Sequence, residues 1–524
     1  MSLISFQFLF FLLIFGFLYF LLPKKIQWAV LLAGNLAFYA FSGIQYLIYL
    51  ICCSFFTWFA AIQIERNADK LKSALAETGE KEQKTALRYT FNRKKRRWIA
   101  SALIPTLGVW ITLKYGPFLL DSFAALFHLP DLQGALKFIV PLGMSFYTFD
   151  AIGYMIDVSR GKYGAEKNFF KYLTFVSFFS HIIQGPFSRF DSLGKTLFAE
   201  HRFSYDRLCQ GASRILWGYF KKLIIADKLA ISVNEVFFNY QNYWGTQNLF
   251  GVFLYGIQIY ADFSGYMDIV CGISHIFGIP LEENFRQPYF SVSVDEMWRR
   301  WHMTLGHWFR DYLFYPISMA KWTQQIGKAM RKRFGPGAGK LTISMISLFA
   351  VWSATGLWHG ANWTYLIWGW LNMSVIFFSQ RLDPWYEKTR KVFHISLDNK
   401  FWQLFRMIRT YCLMSLFRIF SKAVSVHTAF DMMQKIVLKF NRKLLLHPIE
   451  LFPEMTTVDI YISLIACFLM IITDILSEKG QWINVKKRTP FLIRGVIYAA
   501  MIYSIILFAG KSNNITSIFI YANF

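Results

Sequence analysis

The chain has 524 residues, of which 55% are hydrophobic and 19% aromatic, and it carries 56 Lys and Arg against 31 Asp and Glu. That composition excludes an ordinary soluble multidomain protein, which needs far more polar surface to face water. The net charge of +25 does not by itself point to nucleic acid, because the basic residues cluster in short segments between apolar runs, as the positive-inside rule requires of a membrane protein.

The first apolar run, Ile4 to Leu22, has no basic n-region and no small-residue cleavage site, and Lys24-Lys25 follows it. It therefore reads as a retained helix with its N-terminus outside, not as a signal peptide. Runs at Ile26–Phe41, Tyr46–Ile64 and Trp98–Tyr115 come next, with a basic loop expected at 66–97 that ends in Arg93-Lys94-Lys95-Arg96-Arg97. That loop is expected to be cytoplasmic and to lie against anionic membrane lipid. The middle runs, Phe138–Met155, Phe169–Ile183, Ala212–Leu229 and Leu249–Tyr260, are short or interrupted by Gly and Pro. Broken helices at membrane depth survive only when packed in protein or lining a wet cavity, so the middle of the chain is expected to surround one. Leu341–Trp358, Trp363–Phe378, Trp402–Phe420, Val458–Leu476 and Phe491–Ala509 complete the series. Lys486-Lys487-Arg488 between the last two is expected inside, which puts the tail from Gly510 outside.

Ser293 and Glu296 have capping-box spacing, and Trp298, Trp301, His302, Leu305, Trp308, Phe309 and Tyr312 follow at three- and four-residue intervals. This predicts one amphipathic helix over 293–315, with His302 on its aromatic face. Six cysteines, none in a C-x-x-C pair, read as small buried apolar residues. Of ten histidines, two stand apart: His302, and His359 in Gly356-Leu357-Trp358-His359-Gly360-Ala361-Asn362-Trp363. Ionisable groups at membrane depth are expensive and are functional candidates by default. A packed imidazole bonded to a backbone carbonyl is as good a reading of His359 and, from spacing alone, a better one of His302. His302 and His307 are five apart and do not share a helix face, so no metal site is expected. Asp262, at the head of a polar interruption (Asp262-Phe263-Ser264-Gly265-Tyr266), is a candidate for the cavity wall, with a hydrogen bond across helices the favoured reading.

PLGMSFYTFDAIGYMIDVSRG (141–161), QIYADFSGYMDIVCGISHIFGI (258–279), ENFRQPYF (283–290), MWRRWHMTLGHWFRDYLFYP (297–316) and GLWHGANWTYLIWG (356–369) together resemble the membrane-bound O-acyltransferase family, in its alginate and peptidoglycan O-acetyltransferase branch. The resemblance runs over nearly the whole chain and is looser from Gln380 to Pro453. It implies a single integral-membrane domain over 1–524: N-terminal helices and basic loop (1–97), a catalytic core (98–380), and C-terminal helices with an outward tail (381–524). It implies an all-α bundle of about eleven or more spans plus re-entrant helices around a central tunnel. It maps the catalytic histidine onto His359 and the second active-site histidine onto His302. Trp298, Trp301, Trp358, Asn362, Asp262 and Asn284 are the expected substrate or tunnel residues.

The implied reaction moves an acyl group, most simply acetyl, from cytoplasmic acetyl-CoA to an extracytoplasmic acceptor. No permanently bound cofactor is expected. The partners implied are an SGNH-type acetyltransferase outside the membrane and a cell-surface polysaccharide as final acceptor; nucleic acid is not among them. The site is the bacterial cytoplasmic membrane, with both termini outside. A neutral imidazole takes the hydroxyl proton as attack begins, and His302, the Asn362 amide or a Trp indole is left open as donor to the oxyanion. The ending Phe519-Ile520-Tyr521-Ala522-Asn523-Phe524 is similar to the family's C-terminal acyl-carrying tyrosine motif, which makes Tyr521 a candidate transient acyl carrier; a passive, packed tail is the competing reading. A D-alanyl or lipid acyltransferase of the same family, and a non-enzymatic transporter or flippase, are the alternatives.

Overall fold

A computed structural model of the chain describes residues 3–128 and 139–509. These residues form helices joined by short irregular segments, with no strand among them beyond a single isolated bridge between Phe285 and Trp301. Five helices are long and apolar enough to cross a membrane: Ile44–Glu77, Lys81–Leu126, Pro336–His359, Thr457–Glu478 and Phe491–Phe508. A helix of about 20 residues spans the ~30 Å hydrocarbon core. Phe491–Phe508 buries none of its residues and exposes Phe491, Leu492, Val496 and Ile506 among others, an arrangement stable only where the solvent is lipid. The protein is an all-α, multi-pass membrane protein.

The chain divides into two compact units. The first comprises Met1–Gly211 and Val270–Glu282. It contains the helices Phe6–Leu21, Gln27–Ala40, Leu47–Glu77, Lys81–Leu126 and Met144–Ser159. Ala60, Ile64, Ala102 and Met155 form a packed centre, with Trp98, Ile99 and Leu103 against it. Small residues on the facing helices allow this close approach. The basic stretch expected to be a loop at 66–97 is instead largely helical: Leu47–Glu77 runs on to Glu77, and Lys81–Leu126 begins after only three intervening residues. The reason is local. The stretch is rich in Ala, Leu, Lys, Glu, Gln and Arg, which are strong helix formers, so helix continues past the apolar region of each span.

The second unit comprises Ala212–Ile269 and Glu283–Phe524. Its framework includes the Tyr205–Phe220 helix from Ala212 on and the Asp227–Phe238 helix, joined by a wide turn at Lys221–Ala226, the Gly245–Ile276 helix up to Ile269, and the Pro336–His359, Trp363–Val392, Lys400–Lys422 and Thr457–Glu478 helices. A chain of buried charges ties this framework together. Lys222 Nζ lies 2.7 Å from Asp262 and 2.9 Å from Asp227, Lys221 Nζ lies 2.6 Å from Asp268, and Lys228 Nζ lies 2.6 Å from Asp459. Each charge is costly to bury alone and tolerable only when paired. The Lys221–Ala226 turn widens the helix by one hydrogen-bond register, a local irregularity frequent at functional positions.

Candidate active site

Of the predicted site residues, His359, Trp298 and Trp301 line one cleft. Pro336–His359 and Trp363–Val392 are joined by a three-residue link and pack at the closest approach backbones allow. A Cβ on Gly356 would stand 2.6 Å from the Tyr365 carbonyl oxygen, and one on Gly369 would stand 2.5 Å from that of Trp352. Glycine at both positions lets the helices touch, and that contact sets the last turn, with His359, against the start of the next helix. The imidazole is 5% exposed. Its ring centroid lies 4.8 Å from that of Trp358 and 5.0 Å from that of Trp368, both near-perpendicular, and 6.3 Å from Tyr365.

His359 lines a cleft together with Trp298, Trp301, Tyr365, Trp368 and Arg418. Trp298 is fixed from behind, its indole Nε1 donating to Asn372 Oδ1 at 3.0 Å while Asn372 Nδ2 donates to the Trp368 carbonyl at 2.8 Å. Asn372 thus holds the Trp298 indole against the Trp363–Val392 helix. Among the described residues, the cleft combines an apolar aromatic lining with one imidazole and one guanidinium, the usual composition of a small-molecule site.

The helix predicted over 293–315 is not continuous. Its start is as expected: Ser293 Oγ accepts from the Glu296 N–H at 3.2 Å, and Glu296 reaches back to the Val292 N–H at 2.9 Å. The helix then stops at Arg300. Trp301 is extended, His302 is left-handed at φ 47°, ψ 50°, and a new helix runs Met303–Phe309. The cause lies outside the segment. Residues 284–286 pair with the broken stretch, with Arg286 N donating to the Arg300 carbonyl and Met303 N to the Asn284 carbonyl, both at 3.0 Å. The side chain of Asn284 then supplies the second helix with its cap, Oδ1 accepting from Thr304 N at 3.1 Å and from Thr304 Oγ1 at 2.7 Å. Left-handed backbone is uncommon for a non-glycine residue and marks positions that their surroundings hold in place.

His302 is 3% exposed. Its Nδ1 lies 3.4 Å from Asn284 Oδ1, and its ring packs on Phe263 at 4.8 Å and Trp358 at 5.6 Å. Trp358 therefore touches both histidines, and His302 stands one layer behind the cleft wall. Asn284 is a buried brace for that layer, its Nδ2 donating to Met267 Sδ at 3.2 Å. Asn284→Ala is expected to destabilise the protein by about 1–3 kcal/mol, because two donors of buried Thr304 lose their acceptor. Asn284→Asp, which keeps the acceptor, is expected to lose less; a thermal melt of the purified variants compares them.

The other predicted residues sit elsewhere. Asp262 is fully buried and bonded to Lys222; it is held in the charge chain and is not among the residues lining the cleft. Asn362 is exposed and caps the Trp363–Val392 helix, Oδ1 accepting from Thr364 N at 2.9 Å. Tyr521 lies outside the described residues. Arg418, Tyr365 and Trp368 were not anticipated. Only Arg418 carried a signal, as the lone cation in the apolar stretch Leu413-Met414-Ser415-Leu416-Phe417-Arg418-Ile419-Phe420.

No protein-family model matches the chain. Curated relatives do. The chain is 33% identical to the probable alginate O-acetylase of Pseudomonas syringae over 361 residues, covering 68% of this chain and 62% of the relative. It is 26% identical to the peptidoglycan O-acetyltransferase of Helicobacter pylori over 443 residues, 80% of this chain and 74% of the relative. It is 28% identical to the teichoic acid D-alanyltransferase of Bacillus subtilis over 237 residues, 44% of this chain and 56% of the relative. The chain thus spans under two thirds of the length of the alginate O-acetylases it matches. With the motifs around His302 and His359 and the all-α multi-pass fold, these similarities have one reading: the chain belongs to the membrane-bound O-acyltransferase family.

Proposed function

We propose that the chain is an O-acyltransferase that takes an acetyl group from a cytoplasmic thioester, acetyl-CoA, and passes it across the bacterial cytoplasmic membrane for O-acetylation of a cell-surface polysaccharide. The observation that carries this reading is the buried imidazole of His359 at the wall of an aromatic cleft. The neutral form of an imidazole is the one able to accept a proton from a hydroxyl. The aromatic walls exclude water, which would otherwise hydrolyse the thioester. His302 acts through Trp358, whose ring packs on both imidazoles, and its replacement by Ala is expected to lower transfer by an amount no larger than the loss of His359 causes. Unchanged transfer by a well-folded His302→Ala protein would return that residue to a packing role.

In this reading both termini lie outside, the bulky donor stays on the cytoplasmic side, and an SGNH-type enzyme outside completes transfer to the sugar hydroxyl. Similarity to named acetyltransferases of alginate and of peptidoglycan supports a polysaccharide as the final acceptor. Similarity to a D-alanyltransferase makes a D-alanyl thioester the competing donor. The test is a donor panel. Purified full-length chain is offered acetyl-CoA, a D-alanyl thioester carrier and a long-chain acyl-CoA, and thiol release is followed. Release from acetyl-CoA well above the others is expected. Preference for the D-alanyl or long-chain thioester would move the chain to another branch, and release from none would leave transport without acyl chemistry.

A further inference from the structure

Arg418 has no place in the proposed reaction so far, yet it shares the cleft with His359. It comes from the Lys400–Lys422 helix and is 4% exposed. Its guanidinium lies 5.0 Å from the Trp301 ring centroid and 5.7 Å from that of Tyr289, and its Nη1 donates to the Tyr289 hydroxyl at 3.3 Å. Among the described residues no carboxylate forms an ion pair with it. The acids of the same unit are taken elsewhere: Asp262 by Lys222, Asp474 by the Tyr260 hydroxyl at 3.0 Å, and Glu478 by Arg300. Lys422, four residues on, is bonded to Asn234 at 2.9 Å. The protein makes room for the group, since a Cβ on Gly256 would stand 3.2 Å from Arg418 Nη1 and 2.8 Å from the Tyr411 hydroxyl.

A buried cation is costly, and stacking on aromatic faces recovers only part of that cost. Stacking does fix the plane of the guanidinium, and a guanidinium carries five N–H donors in one rigid fork. A pre-oriented cation of this kind matches negative charge that appears only during a reaction.

We propose that Arg418 is a catalytic residue: it forms an anion subsite that holds the oxygen of the transferred acyl group as that oxygen becomes negative. The acceptor hydroxyl bonds to the carbonyl carbon while its proton passes to His359, and the carbonyl π pair moves onto the oxygen held by Arg418. The oxyanion then re-forms the carbonyl, the carbon–sulfur bond breaks, and the departing thiolate takes the proton from the imidazolium. This rests on the acyl-transfer reading, and two readouts separate the two ideas.

The first is kinetic. Arg418→Met, which keeps bulk but not charge, is expected to lower kcat by ~10²–10³ with KM little changed, as loss of an oxyanion donor does. Arg418→Lys is expected to recover part of that loss. A folded Arg418→Met protein with wild-type kcat would overturn the proposal. The second needs no acyl donor. Methylphosphonate is a tetrahedral anion of acetyl size, and its binding is read by quenching of tryptophan fluorescence in the purified full chain. Saturable quenching is expected in the wild type, weaker quenching in Arg418→Lys, and none in Arg418→Met at the same concentration. Wild-type protein that shows no saturable quenching, or equal quenching in the variants, would overturn the subsite even if Arg418→Met proved too unstable to assay. Arg418-dependent binding in a protein that consumes no thioester would support the subsite and count against the acyl-transfer reading instead.

Discussion

His359→Ala is expected to reduce acyl transfer by ~10²–10⁴, the usual cost of removing a general base. The size follows from the setting. The imidazole is buried against Trp358 and Trp368, so bulk water cannot readily replace it as proton acceptor, and among the described residues Arg418 is the only other ionisable side chain, apart from tyrosine, lining the cleft. The fold is expected to survive. The ring packs against Trp358 and Trp368, and the helix contact that positions it depends on Gly356 and Gly369, which the substitution leaves in place. His359→Gln, which fills more of the volume but is no base near neutral pH, is the companion variant. Both should express and melt close to wild type while failing to transfer; wild-type transfer by either would remove the catalytic assignment.

Tyr521→Phe is expected to abolish acetylation of the external polymer while leaving consumption of the thioester measurable. A phenol, with an ordinary pKa near 10, loses its proton to a base more readily than an alcohol does, and its acetyl ester has a correspondingly better leaving group. An acyl-tyrosine is therefore easy to load from a thioester and easy to unload onto a partner's serine. Phenylalanine preserves the ring and the apolar character of the Phe519–Phe524 segment and removes only the nucleophile. Mass spectrometry of the C-terminal peptide after incubation with acetyl-CoA should find the acetyl adduct in the wild type alone. Polymer acetylation at the wild-type level by the Phe variant would leave Tyr521 a passive part of the tail.

What the sequence disclosed and what it hid separate along one physical line. Local signals were legible. The Ser293 cap is where its spacing put it, the apolar run Val458–Leu476 is the helix Thr457–Glu478, and His359 closes one helix just before the next begins. Interactions between distant parts of the chain were not legible. Nothing in Trp301-His302 resembles a helix breaker; the break comes from pairing with residues 284–286, whose own sequence gives no notice of it. Asn284 was anticipated as a residue lining the substrate path, and its geometry makes it the brace behind His302. Asp262 carried the right suspicion of a bond across helices, but its partner, Lys222, is 40 residues away. The basic stretch after Ile64 was read for its charge, while its helix-forming residues extend both spans. Arg418 was visible as a lone cation in an apolar run, and only its placement beside His359 gave that oddity a chemical meaning.

The central claim is that an acyl group crosses the membrane by chemistry at His359 while its donor does not cross. The direct measurement uses right-side-out membrane vesicles from cells expressing the full chain with its SGNH-type partner and polymer. The vesicles are loaded with acetyl-CoA labelled in both the acetyl and the nucleotide portions. Acetyl label should accumulate on polymer outside, nucleotide label should stay inside, and His359→Ala vesicles should show neither release of CoA thiol nor external label. External acetylation that persists without His359, or nucleotide label that leaves with the acetyl group, would contradict the account.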